Sequence, residues 1–188
     1  MSGFGVRGPV AAFVAALVAV LAAAVAAPAA AADFDARKPK DVLDVVTSNG
    51  ASGSLKVGKD GKPYVEAKAG KIFFDVDFYD CDDAKASCTT QNFNAYWTTK
   101  DVTNDQMNRW NRWTMWCPGY LDKDGQPNMW MSVPVFAHEA RDDQLDVVNT
   151  WLDCLRDFDD FVASPEEVLK HKEEPAAKPA VTPGSTAS

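Results

Sequence analysis

The most constraining feature of the chain is the strict two-residue alternation between Lys71 and Tyr79. Ile72, Phe74, Val76 and Phe78 occupy one phase, and Phe73, Asp75, Asp77 and Tyr79 the other. Successive side chains of a strand point to opposite faces, so this run predicts a strand with one apolar face buried in the core. Residues 92–98 repeat the pattern, with Phe93, Ala95 and Trp97 in one phase and Asn94, Tyr96 and Thr98 in the other. Two adjacent strands joined through a Cys-bounded loop follow.

The apolar phase needs helices to cover it. Pro39 to Asn49 carries Val42, Leu43, Val45 and Val46 at helical spacing, with Pro near the start and Gly50 after the end, and this predicts a first helix. Leu55 and Val57, then Asp60-Gly61, then Tyr64 and Val65 read as a hairpin. Thr103 with Gln106 forms a capping box opening a helix through Met107 and Trp110 that ends by Pro118. A second hairpin runs from Tyr120-Leu121 across Asp124-Gly125 to Met129, Met131, Val133 and Val135. Pro134, which lacks a ladder donor, places that strand at an edge or ends it. From Asp142 to Val162, Leu145, Val148, Trp151, Leu152, Leu155, Phe158 and Val162 recur every three or four residues, the longest amphipathic helix. The order is helix, four strands, helix, two strands, helix: an α+β chain with an antiparallel sheet flanked by helices.

The ends differ from this middle. Arg7, an Ala- and Val-rich run from Val10 to Ala27, and Ala30-Ala31-Ala32 before Asp33 form the pattern of a secretory signal peptide, residues 1–32, cut after Ala32. The expected location is periplasmic or secreted, with no membrane insertion after cleavage; retention of the segment as an anchor is the rival reading. Residues 33–38 are a short lead-in and 39–164 the folded domain. Residues 165–188 are read as a loose tail, on the Pro/Ala composition that prevails from Glu173 onward.

Export permits disulfides. Cys81 and Cys88 bracket six residues between the two adjacent strands, and a bridge there is worth about 2.5 kcal/mol by the chain-entropy model. For Cys117 and Cys154 a helix-to-sheet bridge is the simplest remaining pairing, and two buried free thiols are the alternative.

At this point several segments acquire a joint meaning. They are Pro39-Lys40-Asp41-Val42-Leu43, Phe78-Tyr79-Asp80-Cys81-Asp82-Asp83 with Cys88 and Gln91-Asn92-Phe93, Met107-Asn108-Arg109-Trp110-Asn111, and Tyr120-Leu121-Asp122-Lys123-Asp124-Gly125. In this order the chain, over roughly Pro39 to Phe161, resembles the YbjN family of small bacterial domains, described as sensory transduction regulators. The resemblance implies a fold similar to type III secretion chaperones, often a homodimer that binds another polypeptide, and it brings no catalytic residues. Where relatives carry basic and Phe residues after the second helix, this chain reads Thr114-Met115-Trp116-Cys117-Pro118.

The residues support no reaction chemistry of their own. His138 and His171 are the only imidazoles, and His138-Glu139 has no second His at metalloprotease spacing. Asp75, Asp77, Asp80, Asp82 and Asp83 concentrate acid but lack the Gly and closing Glu of a calcium loop. A net charge of -8 argues against nucleic-acid partners. No catalytic residue, metal or cofactor is therefore expected. The sequence reading is an exported binding or chaperone-like module, a regulator of envelope stress or sensory signalling, whose partner is an envelope protein, a small ligand or a second copy. The alternative is a small metal-dependent hydrolase using the acids from Asp75 to Asp83 with His138.

The candidate binding surface is the second phase of the sheet. Phe73, Tyr79, Tyr96 and Trp130 project there with Asp75, Asp77 and Asn94 among them. Exposed aromatics need a cover, which is either a further helix of the same chain or a partner.

Overall fold

A computed structural model describes residues 34–173. The expected signal peptide and the tail from 174 onward lie outside the described residues. Within them the order is α1 (Pro39–Ser48), β1 (Ser52–Val57), β2 (Pro63–Ala69), β3 (Ile72–Cys81), β4 (Cys88–Tyr96), α2 (Asn104–Trp113), β5 (Gly119–Leu121), β6 (Pro127–Pro134), α3 (Arg141–Ala163) and α4 (Pro165–Glu173). The α+β class is as the sequence predicted. The strands form one open antiparallel sheet in the order β1-β2-β3-β4-β6-β5.

The alternation sets which face is covered. Val65, Ala67, Phe74, Val76, Phe78, Phe93, Ala95, Met129 and Met131 are buried on one side, where α1 contributes Val42, Val45 and Val46. Trp151 of α3 packs its ring centroid 6.1 Å from Phe74 and 5.5 Å from Phe93. Trp110 of α2 stands 5.1 Å from Phe158 and 5.0 Å from Phe161, which joins α2 to α3. The capping box at Thr103 and Gln106 is present. β6 ends at Pro134, as the missing donor requires, and β5 rather than β6 is the edge strand.

One buried polar pair crosses this layer. Gln91, in the buried phase of β4, and Gln144, on α3, exchange two amide hydrogen bonds of 2.9 and 3.0 Å, and Gln91 Nε2 also donates to the Ala36 carbonyl at 2.9 Å. Both side chains are fully buried, and mutual satisfaction is what makes that tolerable.

The tail boundary requires a correction. Residues 165–173 are helical, not loose: Pro165 opens α4, Glu166 and Glu167 lie in its first turn, and Lys170, His171 and Lys172 in its last, the arrangement the helix dipole favours. Leu169 is fully buried in the core. Arg109 on α2 donates to Glu166 and Glu173 at 2.9 to 3.2 Å and clamps both ends of α4. The apolar pair Val168-Leu169 distinguishes this turn from the Pro/Ala stretch that follows it in sequence.

Candidate functional site

The pleat that buries one phase presents the other on the opposite face, and no helix among the described residues covers it. All four helices belong to the core side. Of the two covers considered for the aromatic phase, a further helix of the same chain is therefore not found within residues 34–173.

Register places the candidate residues in rows. Tyr64, Asp77, Asn92 and Ser132 lie opposite one another across β2, β3, β4 and β6, and Glu66, Asp75, Asn94 and Trp130 form the next row. Tyr96 of β4 faces Asn128 of β6, which faces Tyr120 of β5. Phe73 and Tyr96 are 61% and 60% exposed, high values for aromatic rings on a sheet. Tyr79, Tyr120 and Trp130 are also exposed. The structure thus brings Phe73, Tyr79, Tyr96, Trp130, Asp75 and Asp77 onto one surface. Sequence reasoning missed Tyr64 and Tyr120, whose place was legible once the two hairpins were given a shared register.

The polar centre is partly organised. Asn92 Nδ2 donates to Asn94 Oδ1 at 3.0 Å, and Asn94 Nδ2 donates to Asp77 Oδ2 at 2.9 Å. Lys68 Nζ sits 4.8 Å from the Phe73 ring centroid and Lys62 Nζ 5.2 Å from that of Tyr79, both cation–π contacts. Burial raises the Asp75 carboxyl above its ordinary value, with repulsion from Asp77 and Glu66 adding to it. Burial likewise raises Asp77, with Asp60 adding repulsion and Lys62 opposing it. A concavity of about 320 Å³ beside these groups is lined by Asp60, Lys62, Tyr64, Asp75, Asp77 and Tyr79.

The remaining acids sit elsewhere. Asp80, Asp82 and Asp83 lie at the β3–β4 hairpin, where Asp82 Oδ1 accepts the Ala86 N–H at 2.8 Å and shapes the loop. His138 is exposed in the connection from β6 to α3, apart from that hairpin in the chain order. Among the described residues no group of three or more His, Cys, Asp or Glu side chains is placed to hold a metal ion. No helix among them is long and apolar enough to cross a membrane.

Both disulfides are formed. Cys81–Cys88 closes the β3–β4 hairpin at directly opposed positions, and Cys117–Cys154 ties the α2–β5 connection to α3. The end of α2 and that connection carry a second exposed apolar group, Trp113, Met115 and Trp116. The backbone of the connection is pinned by the Trp110 Nε1 donation to the Cys117 carbonyl at 3.1 Å and by the Cys117 N–H donation to the Thr114 hydroxyl at 3.2 Å.

Several residues in the segments that carried the resemblance have architectural roles. Asn111 donates to the Gly119 carbonyl at 2.9 Å and accepts the Gly119 N–H at 2.8 Å, which holds β5 to α2. A Cβ at Gly119 would lie 2.5 Å from Met107 Sδ and 2.8 Å from Phe158, so only glycine fits there unshifted. Asp122 Oδ1 accepts the Asp124 and Gln126 N–H groups and forms the β5–β6 turn. These segments fix the scaffold, and the exposed aromatics ride on it.

A family model for YbjN, whose description is "Putative bacterial sensory transduction regulator", matches residues 38–164. No curated protein and no solved structure gives a match.

Proposed function

Because the chain belongs to the YbjN family, we propose that it is an exported, non-catalytic regulatory module that binds a protein partner of the cell envelope across its open sheet face. The observation that carries this reading is the one-sided covering of the sheet. Four helices pack on one face, while the other presents Phe73, Tyr79, Tyr96, Tyr120 and Trp130 to solvent around a polar centre. Contiguous exposed aromatics are unusual on a monomer and common at the centre of interfaces.

Export rests on two separate supports. The residues before Asp33 have the order of a signal peptide, and the four Cys are paired in two disulfides, which persist in oxidising compartments. Residues expected to act on a substrate are absent from this reading. Asp75 and Asp77 belong to the recognition surface, Asp80 accepts from the Thr90 hydroxyl of β4, and Asp82 shapes the β3–β4 loop.

The test is site-specific photocrosslinking in the native cell, with the crosslinker placed at Tyr96 on the open face or at Arg156 on the helical layer. A discrete adduct with one polypeptide from Tyr96, and none from Arg156, is expected. Adducts of equal yield from both positions, or from Arg156 alone, would refute the assignment of the surface.

A further inference from the structure

The charge inventory of the open face narrows the partner. Its charged groups include Lys56, Glu66, Lys68, Asp75 and Asp77, with Asp60 and Lys62 in the adjoining hairpin. Lys85 donates to the Asp60 carbonyl, and Asp80 near the end of β3 accepts from the Thr90 hydroxyl. Lys56 pairs with Glu66 at 3.8 Å and Lys62 with Asp60 at 3.4 Å, and Lys68 lies over the Phe73 ring. Asp75 has neither an ion pair nor a side-chain hydrogen bond among the described residues, and Asp77 receives only the Asn94 amide. Both carboxylates are half-buried: Asp75 has given up part of its hydration without a cation in return, and Asp77 has only the influence of Lys62, whose amine is already paired with Asp60.

Spacing adds direction. Alternate residues of a strand stand about 6.8 Å apart, so Phe73, Asp75, Asp77 and Tyr79 present an apolar, acid, acid, apolar series over roughly 20 Å. Resting on the reading of this face as a partner surface, we infer that its occupant is a basic polypeptide segment, with Lys or Arg side chains over Asp75 and Asp77 and apolar residues against Phe73 and Tyr79. A long cationic side chain suits this surface because its alkyl stem covers ring area while its head meets a carboxylate. Lys68 and Lys62 already rest on Phe73 and Tyr79 in that manner. A free small cation would neutralise the acids but leave Tyr96, Tyr120 and Trp130 uncovered. A second copy related by a two-fold axis through the centre of the face would set Asp75 and Asp77 against their own equivalents, and like-charge juxtaposition is what interfaces avoid.

The probes are three synthetic amphipathic peptides of one length that differ only at their polar positions, which are Lys, Gln or Glu. Binding to the disulfide-bonded protein is followed by NMR amide shifts. The Lys peptide is expected to shift amides of β3, β4 and β6 and to bind about tenfold more tightly than the Gln peptide. That advantage should shrink from low to physiological salt and disappear in the Asp75→Asn/Asp77→Asn double variant, whose melting curve verifies its fold. Equal binding of Lys and Gln peptides to these strands would overturn the cationic partner and leave the surface assignment standing. So would saturation of the same amides by N-acetyl-lysine amide with the affinity of the Lys peptide, which would make the ligand a small cation. Preference for the Glu peptide would overturn the inference outright. If no peptide moved any amide of β3, β4 or β6, the inference and the surface assignment would fall together.

Discussion

Replacing Asp75 by Asn should make the protein more stable at neutral pH. Asp75 faces Glu66 directly across the β2–β3 pair, and Asp77 follows two residues later on the same face. Like charges directly opposed on neighbouring strands destabilise by about 0.2–1 kcal/mol, and the Lys56 contact to Glu66 places this pair in the lower part of that range. The Asp77 charge, about 6.8 Å along the strand, adds roughly 0.6 kcal/mol of repulsion in water before salt screening reduces it. A net gain of about 0.5–1 kcal/mol corresponds to a rise in Tm of about 2–4 °C for a domain of this size.

The pH dependence fixes the mechanism. The Asp75 carboxyl is raised in the folded state, chiefly by burial and then by Asp77 and Glu66, so the folded form binds its proton more readily than the unfolded form does. Ionisation therefore costs stability above the folded value, and the cost fades as pH falls through that value toward the ordinary 3.8. Thermal melts of parent and Asp75→Asn should differ at pH 7 and converge as pH approaches 4. A variant less stable than the parent at pH 7, or a difference that does not change with pH, would refute the claim that this carboxylate is uncompensated.

Other perturbations test the scaffold. Leu169→Ala should cost about 2–4 kcal/mol in denaturant melts, because a fully buried side chain of α4 is removed; a change under 1 kcal/mol would mean that α4 is not part of the core. Gly119→Ala should cost about 1–3 kcal/mol by the same assay, since the added methyl meets Met107 and the Phe158 ring. Gln91→Ala should cost about 1–3 kcal/mol beyond its cavity because it strands the Gln144 amide and the Ala36 carbonyl, and Gln144→Leu in the same background should recover part of the loss. Removing Cys117–Cys154 by paired Ala substitutions should cost about 4 kcal/mol by the chain-entropy model for a separation of 37 residues.

Much of this was legible in the sequence because the informative residues obey short-range rules. The alternation from Ile72 to Tyr79 fixes the faces of β3, Asp-Gly marks both hairpins, and Thr103 with Gln106 starts α2. The Cys81–Cys88 bridge follows from the same hairpin. Three features were not legible, each for a physical reason. α4 offers a single apolar pair, Val168-Leu169, too short to show helical periodicity, and its order comes from Leu169 in the core and from Arg109, more than fifty residues away in the chain. The Gln91–Gln144 pair needs two strong polar residues to meet inside an apolar layer, which no local pattern announces. The bareness of the aromatic face depended on where four helices would pack, and the periodicity of each helix identifies its own apolar side without saying which face of the sheet it will cover.

The two exposed aromatic groups allow a direct test of the central claim, that the open sheet face is the surface the protein uses. Hydroxyl-radical footprinting compares side-chain oxidation of the purified protein with that of the protein in its native cell envelope. Phe73, Tyr79, Tyr96 and Trp130 should lose reactivity in the envelope while Trp113, Met115 and Trp116 keep theirs. Protection of Trp113, Met115 and Trp116 with undiminished oxidation of the sheet face would contradict the account.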